Sequence, residues 1–271
     1  MTIILKIILF IVLAPFLSGL ISKIKNNLRL RKGQSIFQPY YNLAKLFSKA
    51  EVVSEHASWI FGVTPFIVIS SALTAALFIN SISGLLLLIF VFALGRFFLA
   101  LAALDAGSSF GGMGASREMF ISSLVEPAFC LVIFSLFLQS GSTNLTVASI
   151  VSGIALFLIT VAETSRVPVD NQETHLELTM VHEAMVLEYS GRSLALLELA
   201  SYIKQMILVI LVARIIFPVT MPVFAGIIIV AAVVALLEVS VAKMRLFRVA
   251  DFLGVAFVLG IIAVVCAILG V

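Results

Sequence analysis

The 271-residue chain is 62% hydrophobic and 11% charged, with a mean hydropathy of +1.23. A soluble domain runs at about 45–50% apolar and roughly 25% charged, so a soluble enzyme is excluded. The apolar runs are continuous and helix-length, which excludes a closed barrel of short alternating strands. The formal charge of +3 comes from basic residues beside those runs, a pattern of membrane topology and not of nucleic-acid binding.

The composition predicts an all-α polytopic membrane protein, one membrane domain over residues 1–271. Eight spans are expected: Ile3–Ile21, Trp59–Ile79, Ile82–Leu104, Phe120–Leu138, Val147–Thr164, Ser193–Ile216, Pro222–Val241 and Phe252–Leu269. Each is near the ~20 residues that cross about 30 Å of hydrocarbon. Met1–Ser22 lacks a small-residue cleavage pattern and is followed by basic residues, so it reads as a span and not a signal peptide.

Loop charges set the orientation. The loop after span one carries Lys23, Lys25, Arg29, Arg31, Lys32, Lys45 and Lys49; later odd loops carry Arg117, then Arg166 and Arg192, then Lys243, Arg245 and Arg248. The even loops carry no Lys or Arg. The odd loops are therefore expected in the cytoplasm, with both termini outside a cell (inner) membrane. Arg214, near the outer end of span six, could snorkel outward.

Within the first loop, Tyr40, Leu43, Ala44 and Phe47 fall at i, i+3, i+4 and i+7 behind Pro39, a residue suited to a first helical turn. Gln38 and Lys45 lie off this stripe. An amphipathic helix on the cytoplasmic surface is expected. Asp105–Ser116 (DAGSSFGGMGAS) reads as a glycine-rich loop. It lacks the Gly-Lys-Ser/Thr ending and the preceding strand of a phosphate cradle, so its small residues are expected to permit tight turns or close approach of a partner.

Glu163–Glu198 concentrates the charge. Seven of the chain's 14 acidic residues lie here, Glu163, Asp170, Glu173, Glu177, Glu183, Glu188 and Glu198, interleaved with Arg166, His175, His182 and Arg192. Glu118 and Glu126 lie one span upstream. Charges also fall within spans: Arg96, Glu126, Glu163, Glu198, Lys204 and Glu238. Each costs at least ~2.5–3.5 kcal/mol near the bilayer centre. One alternative is plain structural pairing, Arg96 with Asp105 or Glu198 with a basic group. The other is convergence of acids from several spans into a line of coupled carboxylates, as a proton path requires.

Metal chemistry finds no pattern. His182-Glu183 resembles the start of His-Glu-x-x-His, but residue 186 is Val, and no two histidines are four apart. Cys130 and Cys266 are isolated in apolar runs and cannot hold a cluster alone. No nucleophile–base constellation stands out, so no catalytic residue is expected within this chain.

The run Ala162-Glu163-Thr164-Ser165-Arg166-Val167-Pro168-Val169-Asp170 resembles the pattern A-E-T-x-R-x-P-x-D of one family. That family is the membrane heel subunit of respiratory complex I and of membrane-bound group 4 [NiFe] hydrogenases. Glu173, Glu177, Glu188-Tyr189-Ser190-Gly191, Arg117, Glu126 and Gln38-Pro39 extend the match. His175, where complex I subunits usually carry an acid, and the run His182–Gly191 look like the formate hydrogenlyase and energy-converting hydrogenase branch.

The resemblance implies a membrane anchor and ion-coupling subunit, itself without redox centres. It implies iron–sulfur clusters and a nickel–iron centre on soluble partner subunits, and antiporter-like membrane subunits as further partners in the bilayer. Glu126, Glu163 and Glu198 would begin a proton path, with Lys204 and Glu238 extending it. Gln38, Lys45, Arg117, Arg166, Asp170, Glu173, His175, Glu177, Glu183, Glu188 and Arg192 would line a chamber or the interface with the soluble arm. A quinone chamber in a complex I-like NADH or ferredoxin dehydrogenase is the alternative. A lone secondary transporter is disfavoured, because no repeat is evident.

Overall fold

The computed structural model describes residues 3–54, 57–139, 146–170, 181–217 and 222–270. These form ten helices and no strand: α1 (Ile3–Leu28), α2 (Gln38–Ser48), α3 (Trp59–Phe78), α4 (Ile82–Asp105), α5 (Ser109–Leu138), α6 (Val147–Glu163), α7 (His182–Val186), α8 (Gly191–Ile216), α9 (Val223–Ser240) and α10 (Leu246–Leu269). Seven of them are long and apolar enough to cross a membrane, and α6 is a shorter apolar helix of 17 residues. The eight expected spans thus fall on eight helices.

The centre of the bundle is α8, which packs against α1, α2, α3, α6 and α9. Its residues from Gln205 to Ala213 are buried without interruption. On the other side, α10 lies along both α5 and α6. The peripheral helices turn Phe90, Phe224, Phe134 and similar side chains outward, as lipid-facing surfaces do.

Three boundaries differ from the sequence expectation. Helix α1 continues past Ile21 to Leu28, carrying Lys25 into the bundle instead of leaving it in a loop. Helix α10 starts at Leu246, so Arg248 and Asp251 are helical. Most of the glycine-rich stretch is helix and not loop. The Ser108 side chain caps the Gly111 amide and starts α5 there, after a turn through Gly107 at φ 67. The small residues permit a close approach within the chain: a Cβ on Gly114 would stand 2.9 Å from the Ala184 methyl of α7.

Helices α1 and α6 end alike. The Arg31 amide reaches back to the Asn26 carbonyl and the Leu30 amide to Asn27, while Arg166 reaches Val161 and Ser165 reaches Ala162. This is the Schellman pattern, whose left-handed residue is usually Gly; here it is Leu30 (φ 53) and Ser165 (φ 48). The second of these ends turns Arg166 back over the bundle.

Proline interrupts three spans, at Pro15, Pro65 and Pro127. Each removes the N–H that would serve the carbonyl four residues earlier: Ile11, Phe61 and Ser123. The buried Tyr189 hydroxyl donates to the Phe61 carbonyl (3.1 Å), its ring stacked on Phe61 at 4.0 Å between centroids. Burial holds this hydroxyl protonated, above the ordinary phenol range. Tyr40 of α2 donates to the Val12 carbonyl, one residue from Ile11. Along α2, Pro39 and Leu43 are buried and Tyr40 half-buried, but Ala44 and Phe47 are exposed; the helix packs on α1 and α8.

Candidate functional site

Two knots of buried charge lie beside the last turn of α6. In the first, Arg96 of α4 is the hub. Its guanidinium binds the Glu163 carboxylate, stands 3.3 Å from Glu126 and lies 3.4 Å from Glu118, both on α5. Glu118 and Glu126 are eight residues apart and share a helix face. Lys204 of α8 reaches the second oxygen of Glu163 at 2.5 Å. The side chains of Arg96 and Glu163 are 6% and 3% exposed, and that of Glu126 is 39% exposed.

In the second knot, Glu238 of α9 is the hub. It takes Lys25 Nζ of α1 at 2.9 Å and Arg166 Nη1 at 2.9 Å. Arg166 Nη2 donates to Gln205 Oε1 of α8 at 3.1 Å. Among the described residues the first knot holds three carboxylates and two cations, the second one carboxylate and two cations. At membrane depth such groups persist only when paired or facing a polar cavity.

Two cavities adjoin the knots. A small one, about 80 Å³, is lined by Arg96, Glu118, Glu163, Arg166, Lys204 and Gln205, among others, and has room for a few waters. A larger one, about 630 Å³, runs toward α1 and α2 past Lys25, Gln38, Glu183, Glu198 and Glu238. Arg166, His182 and Tyr202 face both. Charges that would be isolated in a dry bundle therefore border space that water can fill.

The structure thus gathers Glu126, Glu163 and Lys204 in one knot and places Glu238 in the other. Glu198 belongs to neither: among the described residues no cation pairs with it, and it stands on the wall of the larger cavity. Arg96 does not pair with Asp105, which lies on its own helix; Asp105 instead accepts from the Ser58 amide and hydroxyl, both at 2.8 Å, and fixes the start of α3.

Of the expected chamber residues, Gln38, Arg166 and Glu183 line the larger cavity. Lys45, Glu188 and Arg192 are exposed and Arg117 is half-buried, and these four line neither cavity. Asp170 is buried, 1% exposed; it pairs with Lys243 at 2.8 Å and accepts from the Val181 and His182 amides at 3.1 and 3.2 Å. Glu173, His175 and Glu177 lie outside the described residues. Among the described residues, no group of three or more His, Cys, Asp or Glu side chains converges as a metal site would.

Sequence reasoning missed Lys25, Gln205 and Lys243 as site residues. Lys25 had a readable signal, since Ile21, Ile24 and Leu28 continue the apolar spacing of α1 beyond the expected span. Gln205 is a lone amide in an apolar run, a pattern shared with many helix-packing residues. Lys243 had no signal beyond its charge.

The chain matches the NADH dehydrogenase family over residues 1–269. It is 33% identical over 237 residues to hydrogenase-4 component C of Escherichia coli K12, covering 78% of this chain and 73% of that protein. Formate hydrogenlyase subunit 4 of the same organism is 29% identical over 224 residues, 74% of this chain and 72% of that protein. An NADH-quinone oxidoreductase subunit of Bordetella avium is 29% identical over 217 residues, 68% of this chain and 60% of that protein. The fold is shared with a chain of the membrane-bound sulfane sulfur reductase, an archaeal respiratory membrane complex. The two superimpose with a TM-score of 0.82 at 16% identity, over 98% of this chain and 100% of that one. The chain is therefore a multi-pass membrane member of the NADH dehydrogenase family, related to subunits of hydrogenase and respiratory complexes.

Proposed function

We propose that this chain is the membrane anchor and ion-coupling subunit of a [NiFe]-hydrogenase-type complex. It links electron transfer in a soluble arm to proton or sodium movement through the membrane. Iron–sulfur clusters and the nickel–iron centre belong to the soluble subunits, and antiporter-like subunits continue the membrane arm. The distribution of Lys and Arg supports a cytoplasmic position for α2 and α7, with both termini outside.

The observation that carries the reading is Glu163, held between Arg96 and Lys204 on the wall of a cavity that can hold water. A proton added to Glu163 weakens both ion pairs at once, freeing Arg96 toward Glu118 and Glu126 and releasing Lys204. Arg166, on the wall of the same cavity, carries the change to its partner Glu238. A change of charge at the soluble arm can pass through this sequence of pairs without any redox group in the chain.

The test is Glu163→Gln in the intact complex. Assembly and hydrogen evolution from the soluble arm are expected to persist, while ion uptake into proteoliposomes falls at least about tenfold, the loss expected when one step of a relay cannot bind a proton. Undiminished uptake would sink the coupling role. Nickel, iron and hydrogen evolution are read on the same preparation.

A second reading, a quinone chamber, draws on the larger cavity, whose 630 Å³ is within the range of small-molecule sites. Its α1 and α2 side presents Ser18, Ser22, Asn26, Gln34, Gln38 and Asn42. That lining suits water or a polar partner segment better than a long apolar tail. Iron without nickel, together with quinone reduction, would decide for this second reading.

A further inference from the structure

The carboxylates of Glu163 and Glu238 are 3% and 2% exposed and that of Glu118 is 12% exposed, whereas that of Glu126 is 39% exposed. This opening is not at an end of the helix. Glu126 lies twelve residues from Leu138, so about 18 Å along α5 at 1.5 Å per residue. That distance places it near the middle of a hydrocarbon core about 30 Å thick. Arg96 Nη1 stands 3.3 Å from one oxygen of Glu126, but the part of the carboxylate that faces acyl chains at that depth has no donor to meet it.

The backbone beside it is in the same condition. Pro127 removes the N–H that would serve the Ser123 carbonyl. At Pro65 the chain supplies a donor to the freed carbonyl through Tyr189, and at Pro15 Tyr40 donates one residue away. At Pro127 no side-chain hydrogen bond among the described residues reaches Ser123 O; the Ser123 hydroxyl itself turns to the Phe120 carbonyl, 2.7 Å away. Ser123 and Pro127 are both exposed.

The face is shaped for a helix. Ser116, Phe120, Ser123 and Pro127 follow one exposed line, of which only Phe120 is bulky, with the flexible side chains of Met113 and Met119 flanking it toward the start of α5. Beyond Glu126 the exposed line becomes Phe134, Phe137 and Leu138, large and apolar. Small side chains let helix backbones approach closely in a membrane, while bulky apolar ones face lipid equally well.

We propose that the Ser123–Pro127 face of α5 seats a transmembrane helix of a neighbouring membrane subunit, which presents a hydroxyl, amide or basic donor to the Ser123 carbonyl and Glu126. The occupant follows from complementarity: both exposed groups are acceptors, and lipid tails offer no donor. A second copy of this chain would bring two Glu126 carboxylates together. The proposal rests on the reading of the chain as one subunit of a membrane complex, and it locates where the first charge knot meets the next subunit.

The test uses the whole complex in a Cys130→Ala, Cys266→Ala background, with a benzophenone maleimide on Ser123→Cys or Phe134→Cys. Irradiation in the membrane is expected to join position 123 to another multi-pass subunit, with at least about fivefold less protein crosslink from position 134. Position 123 yielding lipid adducts alone, or a dimer of this chain, would overturn the proposal. A companion variant, Ser123→Phe, fills the notch: the soluble subunits should still co-purify and the neighbouring membrane subunit should be lost. Its retention at wild-type yield would also overturn the proposal. Nickel content and hydrogen evolution separate the two readings. A crosslink in a nickel-free complex would leave the docking face standing and remove the hydrogenase assignment; lipid adducts in a hydrogen-evolving complex would do the reverse.

Discussion

At its Glu163 end, α6 meets two knots that together pair eight charged side chains drawn from α1, α4, α5, α6, α8, α9 and the α6–α7 connection. At its Val147 end the same helix meets α5 through two hydroxyls, Ser135 Oγ and Ser152 Oγ, 2.8 Å apart and fully buried. The hydroxyls are also satisfied locally, Ser135 by the Val132 carbonyl and Ser152 by the Ala148 carbonyl. Such a pair survives if the neighbouring helix shifts. The charges have no local substitute, because Arg96, Glu163 and Glu238 each depend on groups from other helices. One half of the bundle can therefore tolerate rearrangement, and the other registers any displacement as a change in charge pairing.

The largest expected effect is at Arg96. Arg96→Ala takes the partner from three carboxylates at once, and breaking a buried pair costs about 3–5 kcal/mol. The chain should fail to accumulate or should unfold at markedly lower temperature in detergent; wild-type thermal stability would contradict the hub role. Glu238→Gln comes next, at about 3 kcal/mol by the same argument, because Gln205 still holds Arg166. Replacing Lys25 by Met and Glu238 by Leu together should recover part of that loss in the same melting assay, since an apolar pair can stand in for a buried ion pair.

The hydroxyl half should respond weakly. Ser135→Ala or Ser152→Ala is expected to cost about 1 kcal/mol or less, the usual net value of one hydrogen bond. A loss as large as that of Arg96→Ala would erase the contrast between the halves. Smallest of all, Arg192→Ala and Lys45→Ala should leave the melting of the chain unchanged, as both are exposed. If these variants nevertheless lower retention of the soluble arm in a pull-down, the exposed residues act at the interface and not in either knot.

The apolar runs made seven long helices and the shorter α6 readable, and the Glu163–Asp170 motif marked where charge would gather. The partners of that charge were not readable. Asp105 is close to Arg96 in sequence but lies nine residues along one helix, whereas Glu118, Glu126 and Glu163 come from two other helices. Pairing across helices depends on packing that no local spacing encodes. The glycine-rich stretch looked like a loop because glycine weakens a helix, yet the Ser108 cap and the closeness of α7 override that preference. Lys25 was passed over because the span already seemed long enough at Ile21, although the extra turns of α1 carry that lysine to Glu238, 2.9 Å away.

Asp170 has a consequence of a different kind. Its carboxylate accepts the amides of Val181 and His182 while Lys243 braces it from the α9–α10 connection. The chain thus leaves Asp170 and returns to it eleven residues later. One buried carboxylate therefore sets the spacing between the end of the α6 turn, the start of α7 and the α9–α10 connection. Asp170→Ala should loosen all three at once, read as a lower melting temperature of the chain in detergent.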